Sequence, residues 1–510
     1  MQSVLIAGAG PTGLVMALSL ARRGVPVRII DRKDGPTRES RAMGLHARTL
    51  EFYRHFGFAD EVVERGVVGS TIHLRSGARD VARLSLADMG EGISPYPFML
   101  AFAQDEHERF LLARLDELGV GVDWDTTLTG LTDRGDAVEV TMTDGASTER
   151  ATYAYVLGCD GGHSRVRELL RIGFPGGASE GLFYVADAAV TGAEGRDSYL
   201  GFREEGLALT IPVRASGTQR LIGVVPAGLS RKEDIGFEDL RSHIEHLLGI
   251  YIGDVNWFST YHVQHRVAER FRSGRVFIAG DAGHIHSPAG GQGMNTGIGD
   301  AVNLSWKIAE VLHGRAEPSL LDTYEAERIP FARSLIATTD RVFQFLVDDG
   351  KAAQIARVHL LPRIVGTLAR FPAPRRKMFT TVSQVKISYR GCDFNRGNAG
   401  AIRGGDRLPW ISTAEGDNFA PLRSLAWQLH IYGESRPEFI SAAEQFDLPV
   451  HQFPWSESAR DAGVRQGAAY LVRPDGYVAL ALENAGEADE LSALVQRWRL
   501  RLDEPQRRQN

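Results

Sequence analysis

The sequence predicts an α/β chain: a Rossmann-like dinucleotide-binding domain, interrupted by an inserted β-sheet module and followed by a third α/β unit. Three observations carry this. A strand, Val4-Leu5-Ile6-Ala7, runs directly into Gly8-Ala9-Gly10-Pro11-Thr12-Gly13 and then into a helix. A second strand–glycine–helix element, from Val276 through Gly280-Asp281 to Gly293-Met294-Asn295, lies far downstream. Between the two, residues 182–270 break into short β-rich runs.

In chain order, 4–7 is a buried-type strand and 12–23 a helix with Leu14, Leu18 and Ala21 on one face. Residues 27–30 form the next strand and end at Asp31, completing a βαβ unit. Helices are predicted over 41–56, with Leu45, Thr49, Phe52 and Phe56 on one side, and over 106–118, with Phe110, Leu111 and Leu115 apolar. After Tyr155-Val156-Leu157 comes Gly158-Cys159-Asp160-Gly161-Gly162-His163-Ser164, a strand end whose serine can cap the following helix. The runs 182–185, 207–211 and 221–225 have the spacing of an antiparallel sheet, with one helix over 237–248. Residues 71–100 join them. From 271 the first domain resumes and continues as helix to about 380. The last unit holds two apolar runs around the turn Pro474-Asp475-Gly476, then a helix carrying Leu491, Leu494, Val495 and Trp498. The expected boundaries are 1–70, 101–175 and 271–385 for the dinucleotide domain, 71–100 and 176–270 for the inserted sheet, and 390–510 for the C-terminal unit.

The glycines have separate tasks. Gly8 permits the tight turn, Gly10 lets a pyrophosphate reach the backbone, and Gly13 allows helix and sheet to pack closely. Pro11 sits where a helix tolerates a missing N–H. Asp31 can accept hydrogen bonds from a ribose. This motif alone leaves FAD and NAD open. Asp281, at the second element, is an acceptor placed for a sugar or polyol hydroxyl, and the helix that follows offers unpaired N–H groups and a positive dipole end. A cofactor held by two such distant elements is long and gripped at both ends. Arg41 offers a cation near a pyrophosphate, and Gln104 can hydrogen-bond cofactor atoms. His284 and His286 lack a third ligand, so no metal is expected.

Across 510 residues, 58 Lys and Arg against 64 Asp and Glu give a net charge of -6, which suggests no nucleic-acid partner. The 2 cysteines form neither a CxxC nor a metal spacing, and a reducing, cytoplasmic setting is the expectation. No long apolar run is seen that would span a membrane. A homodimer stays open.

The three motifs in this order resemble those of the class A FAD-dependent aromatic hydroxylases, the superfamily of para-hydroxybenzoate hydroxylase and phenol hydroxylase. The resemblance covers nearly the whole chain. The segment Ser40-Arg41-Ala42-Met43-Gly44-Leu45-His46-Ala47-Arg48-Thr49-Leu50-Glu51 is similar to the family's flavin-side helix. The C-terminal unit resembles the thioredoxin-like domain of the phenol and polyketide hydroxylase branch, here without a CxxC. The resemblance implies tightly bound, non-covalent FAD. Gly8, Gly10, Pro11, Thr12, Gly13 and Asp31 would hold its ADP half, Arg41 and Gln104 would contact its middle, and Arg32, Leu128 and Asp160 are also expected to bind the cofactor. Asp281 would take the ribityl chain, Gly293, Met294 and Asn295 would sit beside the pyrimidine edge of the flavin ring, and Pro288 and Gly291 are also expected to bind the cofactor.

It also implies the chemistry. NAD(P)H reduces FAD, O2 adds to give a flavin C4a-hydroperoxide, and the distal oxygen passes to a phenolic, heteroaromatic or polyketide ring. Arg32 and Lys33 favour NADPH over NADH, because the extra phosphate wants cations. Tyr199, offset by about one residue from the family's active-site tyrosine, and His46, on the flavin-side helix, are the catalytic candidates. Met43 stands where phenol hydroxylase has an acidic residue, which speaks against that enzyme's proton relay. Other readings are a reductase or halogenase on the same fold, or a non-catalytic flavin-fold binding protein. A halogenase should carry a WxWxIP segment, and the sequence has none.

Overall fold

The computed structural model describes residues 3–38, 42–193, 195–203, 206–214, 216–226, 228–229, 232, 234–287, 289–347, 360–368 and 371–503. Arg41 and Pro288 lie outside these residues.

The first domain is built on a six-stranded sheet in the order Arg272–Ser273, Val276–Ile278, Tyr155–Gly158, Val4–Ala7, Val27–Ile30, Val122–Asp123. All but the first pair run parallel. Its central strands are apolar and buried on both faces, as a sheet covered by helices on either side requires. The Pro11–Arg22 helix begins with proline at its first turn. A side chain at Gly13 would strike the Gly8 carbonyl, so only glycine lets this helix lie on the strand end. The same helix packs against Gln292–Leu312, where Ser19 and Ser305 hydroxyls meet at 2.6 Å. Both candidate cofactor helices therefore belong to one rigid core.

The expected helix over 41–56 is shorter. Gly44–Leu45 is a strand paired with Leu100–Ala101, and the helix is Ala47–His55. The competing strand wins because Leu45 is buried in the main core, where its pattern suits either structure.

The second module is an eight-stranded sheet in the order His284–Ile285, Tyr251–Val267, Gly176–Thr191, Thr218–Val224, Gly206–Pro212, Ser198–Arg203, Thr71–Ser76, Arg79–Ser85. Residues 71–85 join it; the runs at 182–185, 207–211 and 221–225 lie on antiparallel strands as expected, while Ser198–Arg203 pairs with Thr71–Ser76 in parallel. A crossover permits this, since residues 77–197 separate the two strands. The helix Glu238–Leu248 covers the outer face, and Leu240, Ile244, Leu247 and Leu248 are buried on it.

The C-terminal unit has a βαβ unit, Gln428–Tyr432, Pro437–Glu444 and Val450–Phe453, followed by the antiparallel pair Ala469–Val472 and Val478–Leu482. This is a thioredoxin-like arrangement. Gly476, at φ 76°, closes the hairpin turn. Both cysteines are free and buried. Buried charges join this unit to the first domain: Glu327 accepts from Arg473 at 2.6 Å and Lys307 at 2.8 Å, and Arg48 donates to the Asp475 carbonyl at 2.8 Å. Among the described residues, no helix is long and apolar enough to cross a membrane.

Candidate active site

At the N-terminal end, a cleft of about 220 Å³ opens between the ends of the three parallel strands Val4–Ala7, Val27–Ile30 and Tyr155–Gly158 and the Thr127–Asp133 strand. Gly8, Gly10, Asp31, Arg32, Leu128 and Asp160 line it. Gly8 has φ 107°, and a side chain there would collide with the Cys159 carbonyl. A side chain at Gly10 would meet nothing within 4 Å, so the backbone here faces open space where a pyrophosphate can approach. Asp31 is locked by the Ala9 N–H at 2.7 Å and the Lys33 N–H at 2.9 Å, which orients its remaining lone pairs into the cleft. Ser164 caps the short helix that follows, accepting from the Arg167 N–H at 3.0 Å, while Asp160 accepts from the Ser164 hydroxyl at 2.5 Å and the Val166 N–H at 3.0 Å. Burial nevertheless pushes its carboxyl up. His163 and Arg165 also line the cleft. The sequence reading passed over them, although they follow Asp160-Gly161 directly.

The far end is built on the Gly280–Ala282 turn and the Gln292–Leu312 helix. Gly280 has φ 62°, and side chains at Gly280 or Gly297 would both meet the Thr12 hydroxyl. Thr12 is thus the point where the N-terminal glycine loop touches the downstream element. Gly290 and Gly291, at φ 76° and 64°, swing the chain into the helix, whose first turn has no side-chain cap. Its N–H groups remain open to an acceptor. Asp281 is exposed to solvent, yet the surrounding protein raises its carboxyl by burial, with His284 opposing. A carboxylate reached by solvent but deep in protein is suited to the hydroxyls of a bound polyol.

An acidic residue missed in the sequence holds this end together. Asp300 is fully buried and accepts from the Gly280 N–H at 2.9 Å, His284 Nε2 at 2.7 Å and Arg328 Nε at 2.5 Å. Burial alone would raise its carboxyl; Arg328 and His284 bring it down to about 2. Arg328 in turn binds the Thr296 carbonyl and the Tyr389 hydroxyl. Only the fold reveals this role, because Arg328 comes from a different helix.

Three candidates sit differently from the sequence reading. Asn295 spends its whole side chain on protein. Its Oδ1 accepts from the His46 N–H at 2.9 Å and Thr49 hydroxyl at 2.7 Å, and its Nδ2 donates to the Gly44 and Gly291 carbonyls, each at 2.8 Å. Only its backbone is left for a cofactor. His46 does not face a substrate space. It is fully buried, its Nε2 donates to the Gly291 carbonyl at 3.1 Å, and burial lowers its pKa to about 4, so the ring is neutral and positions the loop. Tyr199 points away from the flavin end. It is buried in the cluster under Glu238–Leu248, stacked on His73 at 4.7 Å with Arg75 over its ring. A side chain at Gly201, on the same face, would strike the Leu247 carbonyl. Leu200 therefore occupies the inner face, because a one-residue offset in a strand reverses the side chain.

Gln104 accepts from the Ala42 N–H at 3.1 Å and donates to Glu108 at 2.9 Å. Gly293 and Met294 are half-buried in the first turn of the downstream helix. Among the described residues no cluster could hold a metal. The residues fit a long dinucleotide: an open glycine loop with a locked ribose-type acceptor at one end, and a polyol-type acceptor with an uncapped helix end at the other, meet through Thr12. Asp281→Ala is expected to weaken FAD binding about 10- to 100-fold, the worth of hydrogen bonds to a charged group. Fluorescence titration of the apoprotein checks this, and an unchanged affinity would remove Asp281 from the site.

Comparison with known proteins agrees with this geometry. The family model described as "FAD binding domain" matches residues 1–339, and that described as "Aromatic-ring hydroxylase, C-terminal" matches residues 405–501. The chain is 34% identical to 6-methylpretetramide 4-monooxygenase of Streptomyces rimosus, over 95% of this chain and 91% of that protein. The structure of OxyS anhydrotetracycline hydroxylase from Streptomyces rimosus superposes with a TM-score of 0.77 at 29% identity, covering 98% of this chain and 99% of that one. The flavin-dependent monooxygenase PieE, crystallised with FAD and substrate, gives 0.79 at 25% identity, covering 97% and 98%. From the glycine loop at Gly8 to the aromatic-ring hydroxylase C-terminus, the chain belongs to the FAD-dependent aromatic hydroxylases, the class A flavoprotein monooxygenases.

Proposed function

We propose that this monooxygenase uses NADPH and O2 to hydroxylate a polycyclic aromatic substrate of the polyketide type. The observation that carries the substrate class is the inner face of the eight-stranded sheet. Leu200, Leu209, Ile222, Val224 and Trp257 alternate with the buried outer-face residues and are only half-buried. A face that apolar and that broad suits a flat, fused-ring molecule better than a small phenol carrying a carboxylate. The names of the 6-methylpretetramide and anhydrotetracycline enzymes support the same class.

FAD, when bound, supplies the reductive activation of O2 that oxygen transfer needs. The chain's own part is geometric and electrostatic. The N-terminus of Gln292–Leu312 would offer its N–H groups and positive dipole end to the flavin ring. The neutral His46 and the saturated Asn295 hold the Gly290–Gly291 backbone in place without adding charge. The apolar sheet face excludes water from the reacting ring. The cations at Arg32 and Lys33 favour the phosphorylated nicotinamide.

NADPH consumption by the FAD-loaded protein tests this, with anhydrotetracycline and pentachlorophenol as alternative effectors. The tetracyclic compound should stimulate oxidation at least about tenfold more than the chlorophenol, the order of discrimination an apolar pocket gives. NADH should be the poorer reductant. Equal stimulation by both compounds would overturn the substrate class, and equal use of NADH the nicotinamide preference.

A further inference from the structure

The inner face of the sheet carries few polar groups, and most of them are already engaged. Arg220, buried at 1% exposure, holds Asp187 through two bonds of 2.8 Å. The Ser259 hydroxyl donates to the adjacent Thr260 carbonyl at 3.4 Å. Tyr261 is different. It is half-buried, its ring meets Phe183 at 6.1 Å, and its hydroxyl enters no hydrogen bond among the described residues.

The direction of Tyr261 follows from the strand itself. Phe258 packs on Phe237 at 5.7 Å, on the outer side under Glu238–Leu248. Residues of the opposite parity, Trp257, Ser259, Tyr261 and His265, therefore share the inner face. His265 pairs with Asp340 on Asp322–Val347, and Ile211, also inner, packs against Met43 and Ala101 of the first domain. Tyr261 thus lies on the face of the sheet that is turned toward the flavin-binding domain. Burial pushes its phenol up to about 12, with the Arg220 charge opposing, so it stays protonated and can donate at any physiological pH. A hydroxyl on an apolar, partly desolvated surface gains most from a partner that arrives with the ligand.

We propose that Tyr261 is the substrate-orienting residue of the sheet, donating its O–H to a ring oxygen of the bound polycycle. It takes over from a different strand the position that Tyr199, facing outward, cannot serve. The proposal rests on the polycyclic reading above.

The test is binding of anhydrotetracycline to the FAD-loaded protein, followed by flavin fluorescence, in wild type, Tyr261→Phe and Tyr199→Phe. Tyr261→Phe should bind about 3- to 10-fold more weakly, the usual worth of one neutral hydrogen bond, with FAD occupancy unchanged. It should also yield less hydroxylated product per NADPH oxidised, because a poorly oriented ring lets the oxidant decay; loss of packing alone would not separate the two. Tyr199→Phe should match wild type in both. Equal affinity and coupling in Tyr261→Phe and wild type would overturn the role of Tyr261 while leaving the polycyclic reading intact. A wild-type protein that binds no anhydrotetracycline would overturn the polycyclic reading and this proposal with it.

Discussion

Asp300→Ala should leave a protein that folds but cannot hold FAD. The carboxylate is fully buried and receives three donors, and one of them is the N–H of Gly280, the residue that sets the turn before Asp281. Removing it frees that turn and strands the Arg328 guanidinium without its counter-charge. Breaking a buried ion pair from one side costs about 3–5 kcal/mol, because the remaining charge keeps its desolvation penalty. Part of that cost falls on the flavin end, so FAD affinity should drop by about 100-fold or more. Asp300→Asn keeps an acceptor for Gly280 and should fall between alanine and wild type. Apoprotein titration with FAD measures the affinity, and a thermal melt at saturating FAD separates lost binding from lost folding. Retention of wild-type affinity in Asp300→Ala would mean that the turn does not depend on this carboxylate.

Glu327→Ala should loosen the C-terminal unit from the first domain. Glu327 is 2% exposed and is the common partner of Lys307, Asn303, Asn395 and Arg473. Burial would raise its carboxyl, but Arg473 and Lys307 hold it far below the ordinary carboxylate range. Its loss leaves two cations facing each other in a dry interface, with only Asp475 close to Arg473. The expected destabilisation is about 3–5 kcal/mol. It should show as a lower melting temperature and as faster proteolysis near the junction of the two units. By contrast, removing Glu139, the exposed partner of Arg134, should change neither measurably. Equal melting of Glu327→Ala and wild type would show that apolar packing around Trp306 and Trp427 carries the interface without the charges.

The parts legible in the sequence are those where backbone geometry dictates residue type. Gly8 and Gly280 sit at positive φ against another backbone or side chain, so glycine is required there and the pattern is visible in one dimension. The Val4–Ala7 strand and the helix after it are read from the same logic. The parts that were not legible depend on parity and on distance. Tyr199 and Leu200 are equally good strand residues, and only the helix over the outer face decides which one looks inward. His46 reads as a free helix histidine until the Gly291 carbonyl is placed against it. Asp300, Glu327 and Arg473 look like ordinary helix or turn charges, and their partners come from remote segments. Gly44–Leu45 became a strand because its neighbour, Leu100–Ala101, arrives from another part of the chain.

Loaded with FAD, the chain is expected to insert one atom of O2 into a polycyclic aromatic ring. Incubation with NADPH, anhydrotetracycline and isotopically labelled O2, followed by mass analysis of the product, tests it most directly. The account predicts a hydroxylated product carrying a single labelled oxygen, formed in proportion to the NADPH oxidised. A product whose added oxygen comes from water, or NADPH oxidation that ends only in labelled hydrogen peroxide, would contradict it.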